Sequence, residues 1–330
     1  MTKLPEPQHG LVALIDQWHE SQQEPPRAHL GASVLGDPCD RKLWLGFHWA
    51  VIEKFPGRIL RLFARGQDEE PRIVKDLRAV GLVIEHTGAD QMRVELAPHI
   101  GGSLDGIIIS GVPEAPKARH VLECKTHNKR SFDDLEKLGV EKSKPQHFCQ
   151  MQCYMHGTKI ERALYVAVCK DDDRLHVERV RYDAAVALKA IARGSRIVYA
   201  DRMPDPISTD GSWYQCKMCA AHDFCHASRL SKAVNCRTCA LSTATDPGTW
   251  HCGRYDSDGI PVEYQRAGCE CHVLHPDLVP WTRIASPSEF EAIYVIDGRE
   301  VRNGEPCVNS FSSQEILGNV ANGIAADTPF

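Results

Sequence analysis

The sequence predicts an α/β (α+β) protein: a mixed sheet flanked by helices, followed by a small cysteine-rich module. Three observations carry that reading. Apolar runs of strand length at 104–109, 120–125 and 162–169 alternate with stretches of helical periodicity. The 330 residues, 42% hydrophobic and 25% charged, suit one sizeable globular domain and a smaller one. Of 14 cysteines, those from Cys216 to Cys271 are crowded at C-x-x-C spacing, a pattern that in a reduced compartment points to metal.

The same composition excludes several classes. No run of about eighteen apolar residues offers a membrane helix, and residues 1–10 have no apolar signal core, so a cytoplasmic protein without membrane attachment is expected. The formal net charge of −5 excludes a globally basic surface, so a nucleic-acid ligand would need a local basic channel. No Gly-rich dinucleotide loop is present, which speaks against a redox enzyme.

Taken in order, 11–22 reads as a short amphipathic helix, ended by Pro25 and Pro26. Cys39 stands at the head of a helix carrying Arg41, Lys42, Leu43 and Trp44. A long helix follows over 58–81, with Ile59, Leu62, Phe63, Ile73, Val74 and Leu77 at helical spacing and Pro71 expected to kink or restart it. Weak strands at 82–85 and 93–96 precede the pair at 104–109 and 120–125, which a Pro/Gly turn joins. A helix is expected at 145–156 and strands at 162–169 and 175–181, with Asp171, Asp172 and Asp173 in the turn. A helix over 183–200, capped by Asp183, comes before Pro204 and Pro206 end the core.

The stretch 100–126 concentrates the chemistry. Asp105 interrupts the first apolar run, and Glu123 and Lys125, two residues apart on the second, share a strand face. Charges on apolar strands are costly unless paired or bound to metal. Two carboxylates can hold a hard divalent cation through oxygen. A lysine beside it can orient an attacking water or balance charge on a phosphate.

Asp105 with Glu123-Cys124-Lys125 resembles the motif of the PD-(D/E)xK nuclease superfamily. Gly66 and Glu70 resemble the G-x-x-x-E of lambda-type exonucleases, whose acidic residue adds a metal ligand; Glu69 and Asp68 compete with Glu70. RecB-type nucleases usually have a histidine in this region, and none is present here. Gln150 and Tyr154 resemble the Q-x-x-x-Y of RecB-type and CRISPR-associated exonucleases, which lines the strand-binding side of the active site. The resemblance implies a Mg²⁺- or Mn²⁺-dependent DNA exonuclease acting on single-stranded DNA or duplex ends, in recombination, repair or phage replication. Asp105, Glu123, the Cys124 carbonyl and Glu70 would hold the cation, Lys125 would help activate water, and Gln150 and Tyr154 would guide the strand. A recombination or replication protein is a further expected partner. The alternative is a non-catalytic DNA-binding or scaffold protein on the same fold.

Cys216, Cys219 and Cys225 give C-x2-C-x5-C, three thiolates lacking a fourth ligand. With Cys39 they resemble the four cysteines that hold a 4Fe-4S cluster in CRISPR-associated and AddB-type nucleases. Zinc completed by His222 or His226 is the alternative. A second set, Cys236, Cys239, Cys252 and Cys269 with His272 as substitute, has the knuckle spacing of a structural zinc site and loosely resembles a module appended to phage or prophage nucleases. The expected organisation is 1–230 nuclease domain with iron–sulfur clamp, 231–285 zinc module, and 286–330 hairpin and polar tail.

Overall fold

The computed structural model describes residues 10–286 and 288–321; the expectations for the extreme N-terminus and for the end of the polar tail lie outside the described residues. The first part of the chain runs α1 (Gly10–Ser21), β1 (Leu30–Gly31), α2 (Asp40–Phe47), α3 (Gly57–Ala79), β2 (Val83–Glu85), β3 (Arg93–Ala97), β4 (Ile100–Ser103), β5 (Gly106–Ser110) and β6 (His120–His127). It continues with α4 (Lys129–Ser143), α5 (Pro145–Thr158), β7 (Arg162–Cys169), β8 (Leu175–Arg181) and α6 (Ala184–Val198). Beyond lie α7 (Tyr214–Lys217), β9 (Ser242–Thr245), β10 (Thr249–Cys252), α8 (Val262–Ala267), β11 (Thr282–Ile284), β12 (Ala292–Ile296), β13 (Arg299–Asn303) and α9 (Ser313–Ala321).

The central sheet has the order β2-β5-β6-β7-β8, with β6 and β7 parallel and the other pairs antiparallel. It is the expected mixed sheet. β7 is buried along nearly its whole length, which explains its unbroken apolar run. Alternation sorts the central strands onto two faces. Leu122, Cys124, Leu164, Val166 and Val168 pack under Ile73 and Val74 of α3. Val121, Ala163, Tyr165 and Ala167 face the larger core, which includes Phe132 of α4 and Met151 of α5. Glu123, Lys125 and His127 alternate with Leu122 and Cys124 and so share that second face.

The structure corrects several expectations. Asp105 is not on a strand: it occupies a bend between β4, which belongs to a small sheet with β1 and β3, and β5. α3 passes through Pro71 as one helix; Pro71 is on the exposed side, where water can take the carbonyl that a proline leaves unbonded. α4 was not anticipated, although Asn128 caps it by accepting from the Ser131 N–H at 2.9 Å. The boundary expected at 285 falls inside a three-stranded sheet, because β11 pairs with β12. The segment after β13 includes α9, whose Ile316 and Leu317 pack on Val273 and Tyr294.

Arg237, between the two cysteines of the Cys236/Cys239 knuckle, anchors the C-terminal part to the core of the first part of the chain. It is 2% exposed. Its guanidinium donates to the carbonyls of Phe47 and Ala28, both at 2.9 Å, and to Gln265 Oε1 at 2.8 Å. It lies 3.8 Å from the centroid of the Trp49 ring. The Phe47 carbonyl closes α2, so the arginine also satisfies a helix C-terminus. Arg237→Ala should lower unfolding free energy by about 3 kcal/mol or more, and Arg237→Lys should recover little, since an ammonium cannot span three acceptors in a plane. Urea denaturation of the three proteins checks this.

Candidate active site

Strand register assembles the acidic cluster. Gly106 pairs with Leu122, which places Asp105 opposite Glu123. Asp105 Oδ2 accepts from the Cys124 N–H at 2.7 Å, so the bend holds the carboxylate against the next strand. Glu123 has no solvent exposure. One of its oxygens meets the Lys125 ammonium, and Oε2 has no hydrogen-bond partner. Lys125 also donates to the Cys124 carbonyl at 3.2 Å. Burial raises the Glu123 carboxyl to about 7; Lys125 opposes the rise and Asp105 and Glu70 add to it. Burial works against the Lys125 charge, but Glu123 and Asp105 outweigh it and hold the ammonium above the usual lysine range.

Glu70 reaches the same cluster from α3. Burial raises its carboxyl and the Asp105 charge adds to the rise, while Gln91 Nε2, donating at 3.0 Å, and Lys125 oppose it. The rival residues are accounted for elsewhere: Asp68 is exposed and Glu69 pairs with Arg72 at 3.3 Å. Gly66 lies against β6, where an added Cβ would stand 3.6 Å from Thr126 Oγ1.

Gln150 and Tyr154 do share a face of α5, but they do not line an open strand path. They are 6% and 3% exposed, so the phenol cannot stack on a base here. The Tyr154 hydroxyl stands where a Cβ on Gly102 would approach it to 2.6 Å. Burial, then the Glu123 charge, pushes this phenol's pKa up. Both residues form the dry wall behind the carboxylates.

The sequence reading missed a neighbouring group. Tyr165 pairs in register with Glu123 across the parallel strands. Its hydroxyl lies 2.8 Å from His127 Nε2 and 2.9 Å from His147 Nδ1. His127 was findable, because it continues the alternation from Glu123 and Lys125. The other two depend on pairing that sequence spacing does not give.

Cys39, Cys216, Cys219 and Cys225 line one cavity of about 280 Å³, together with His222 and His226. Cys39 is the N-cap of α2, its sulfur accepting from the Lys42 N–H at 3.4 Å. In the second set, burial and then the charges of Cys269 and Cys252 raise the Cys236 thiol to about 11. Burial raises Cys239 to about 12, with Cys269 and Cys236 adding. His272 is not free to substitute for a cysteine: its Nε2 lies 3.2 Å from Thr238 Oγ1 and its Nδ1 2.8 Å from Ser313 Oγ. Among the described residues, no group of three or more His, Cys, Asp or Glu side chains is gathered closely enough to hold a metal ion as it stands. No helix among them is long and apolar enough to cross a membrane.

The site is thus a buried carboxylate–lysine cluster on the central strands of a mixed α/β fold. Residues 65–161 match the model of the YqaJ-like viral recombinase domain, a span under a third of the chain that contains Glu70, Asp105, Glu123, Lys125, Gln150 and Tyr154. No curated protein matches the chain. Among solved structures, the alkaline exonuclease LHK-Exo of Laribacter hongkongensis aligns at 18% identity over 55% of this chain and 90% of its own, with a TM-score of 0.36. Its complex with dAMP aligns at 17% over 56% and 90%, with a TM-score of 0.38. SSO0001 aligns at 14% over 66% and 96%, with a TM-score of 0.41.

The raised Glu123 pKa fixes the sign of a pH effect on the metal-free protein. An acid whose folded pKa lies above its unfolded value takes up a proton on folding, so its contribution is fully present below about 4.5 and is lost as pH rises through about 7. Melting curves in chelator should show stability falling between pH 5 and 7 by up to about 3 kcal/mol, and Glu123→Gln should flatten that slope.

Proposed function

We propose that the chain is a divalent-cation-dependent DNA exonuclease of the PD-(D/E)xK type, acting at DNA ends in phage recombination, repair or replication. One observation carries the reading: strand register brings Asp105 and Glu123 opposite each other with Lys125 beside them, inside the span that matches the viral recombinase domain. The unpartnered Glu123 Oε2 at zero exposure fits a cation ligand, because a buried carboxylate oxygen otherwise goes unsatisfied. An all-oxygen set of Asp105, Glu123, Glu70 and the Cys124 carbonyl suits Mg²⁺ or Mn²⁺.

When bound, such a cation polarises the phosphodiester and lowers the pKa of water. The chain's own residues do the rest. The Cys124 N–H fixes the Asp105 carboxylate. Lys125, anchored by Glu123 and the Cys124 carbonyl, offers its ammonium to orient the attacking water or to balance charge on the phosphate. Gln150 and Tyr154 exclude water behind the carboxylates. Lys125→Ala should lower cleavage of linear DNA by about 100-fold or more with DNA binding retained. Retained cleavage in that variant, or equal cleavage by wild type in chelator, would sink the assignment. Absence of cleavage by wild type in Mg²⁺ and Mn²⁺ would leave a DNA-binding scaffold.

The four cysteines lining one cavity support a 4Fe-4S clamp by Cys39, Cys216, Cys219 and Cys225, which would tie α2 to the segment after α6. The knuckle spacing of Cys236, Cys239, Cys252 and Cys269 supports a separate zinc site, with His272 serving the fold through its two hydroxyl partners. Thiolate sites of both kinds belong in a reducing cytoplasm. Anaerobically purified protein should hold about four irons with a brown chromophore, lost in Cys39→Ala, and about one zinc retained in that variant. Two zincs without colour would instead support zinc at both sets.

A further inference from the structure

Two histidines and a tyrosine beside the carboxylates have no part in the mechanism above. Tyr165 is fully buried, and its hydroxyl joins His127 Nε2 to His147 Nδ1. Ser131 Oγ lies 3.2 Å from His127 Nδ1 and completes a chain of four groups. A phenol has one proton, so it donates to one imidazole and accepts from the other.

Both rings are neutral. Burial, then Lys144, Lys125, Lys170 and His176, lowers His127 to about 4. Burial, then Lys125, His127 and Lys144, lowers His147 to about 3. Burial, then the charges of Glu123 and Glu178 on the flanking strands, keeps the proton on Tyr165. Two proton arrangements follow. In one, the Ser131 hydroxyl donates to His127 Nδ1, His127 Nε2–H donates to Tyr165, and Tyr165 donates to His147 Nδ1, leaving the His147 proton on Nε2. In the other, every bond is reversed and His147 Nε2 is bare.

His147 lies in the first turn of α5 and is only partly buried. Among the described residues, Nε2 is its ring nitrogen without a protein partner. The cations Lys144 and Lys125 act on both rings and Lys170 acts on His127, and among the described residues neither Lys144 nor Lys170 has an ion pair. The Lys144 ammonium donates to the Ser143 carbonyl at 3.3 Å; burial lowers its pKa and the Asp134 charge opposes the fall. Lys170 follows β7, its backbone N–H donating to the His127 carbonyl at 2.9 Å, and Arg65 of α3 donates to its carbonyl at 2.8 Å.

We propose that His147, Lys144 and Lys170 form a subsite for a backbone phosphate of a bound DNA strand, with His147 Nε2–H donating to a phosphate oxygen. Phosphate oxygens at neutral pH only accept, so binding selects the first arrangement. Tyr165 and His127 are then positioning residues that set the tautomer. The lysines supply charge and the imidazole supplies direction. The identity of the strand rests on the nuclease reading, but the test does not require cleavage.

A fluorescein-labelled single-stranded oligonucleotide, titrated in chelator over a salt series and followed by anisotropy, reads the subsite directly. Lys144→Ala with Lys170→Ala should weaken binding and make the slope of log K against log salt shallower by about 0.7 per lysine. His147→Ala should weaken binding about fivefold with the slope unchanged, because a neutral donor releases no counterion. His147→Gln, which keeps a donor, should recover part of the loss. Tyr165→Phe should weaken binding less and give mixed His147 tautomers in imidazole ¹⁵N spectra, where wild type with oligonucleotide shows Nε2–H alone. An unchanged salt slope in the double lysine variant, or wild-type affinity in His147→Ala, overturns the proposal. So does a loss that His147→Gln does not recover and that tracks a lowered melting temperature, which would assign the network to folding. Oligonucleotide binding with these dependences but no cleavage in Mg²⁺ or Mn²⁺ defeats the nuclease reading and leaves the subsite standing. Full cleavage with an unchanged slope defeats the subsite alone.

Discussion

Glu123 is a carboxylate at zero exposure in the middle of a sheet, held by one ammonium and with its second oxygen unanswered. Burying such a pair is weakly stabilising at best, and apolar side chains of the same size would serve the fold as well or better. The neighbourhood is organised to tolerate it. β5 brings Asp105 up from a bend, α3 brings Glu70 past the strand edge, and α5 seals the back with Tyr154 over a glycine. Burial is what chiefly raises the Glu123 pKa, with the charges of Asp105 and Glu70 adding to the rise and Lys125 opposing it. An arrangement that opposes its own ionisation stores an affinity for positive charge, and Lys125 answers only part of it.

The C-terminal part is not an independent appendage. Arg237 sends its guanidinium from the cysteine knuckle into a box of Phe47, Trp49 and Trp250, and Trp250 itself belongs to the larger core. Its three acceptors come from three chain regions, the segment before β1, the end of α2 and α8. α2 also begins at Cys39, which faces the cavity shared with Cys216, Cys219 and Cys225. A short helix thereby begins at a cysteine of one set and is held at its end by the residue inside the other. Any ion bound at either set would act on the core through α2.

Much of this was legible because it depends on short-range periodicity. Glu123 and Lys125 had to share a face, the apolar run of β7 had to be central, and Asp183 had to cap α6, which it does by accepting from the Ala185 N–H at 2.8 Å. Asp105 reads as a strand residue because apolar residues of strand length flank it on both sides; the chain changes sheets there, a choice made by pairing partners and not by local sequence. α4 was missed because Gly139, at φ 73°, interrupts its periodicity. The burial of Gln150 and Tyr154 escaped notice because α5 is buried all round in its middle, from Cys149 to Met155, although it carries several polar side chains, so spacing tells which residues share a face but not whether that face is open. The Tyr165 network required the parallel register of β6 and β7, which nothing local specifies.

That parallel pairing explains why acidic and cationic chemistry can coexist in a chain whose net charge is −5. Parallel neighbours end at the same sheet edge, whereas antiparallel ones do not. β6 and β7 therefore deliver His127 and Lys170 to one place, and α5 begins beside it with the positive end of its dipole and with Lys144 and His147. From Glu123 to His127 the strand advances four residues, roughly 13 Å at the usual rise. Nucleic-acid phosphates recur every few ångströms along a strand. A polyanion lying along β6 would thus meet carboxylates at one phosphate and uncompensated lysines a few nucleotides away. The charge needed to hold it is concentrated where it does not neutralise the carboxylates that a cation would occupy, and the rest of the surface can stay acidic.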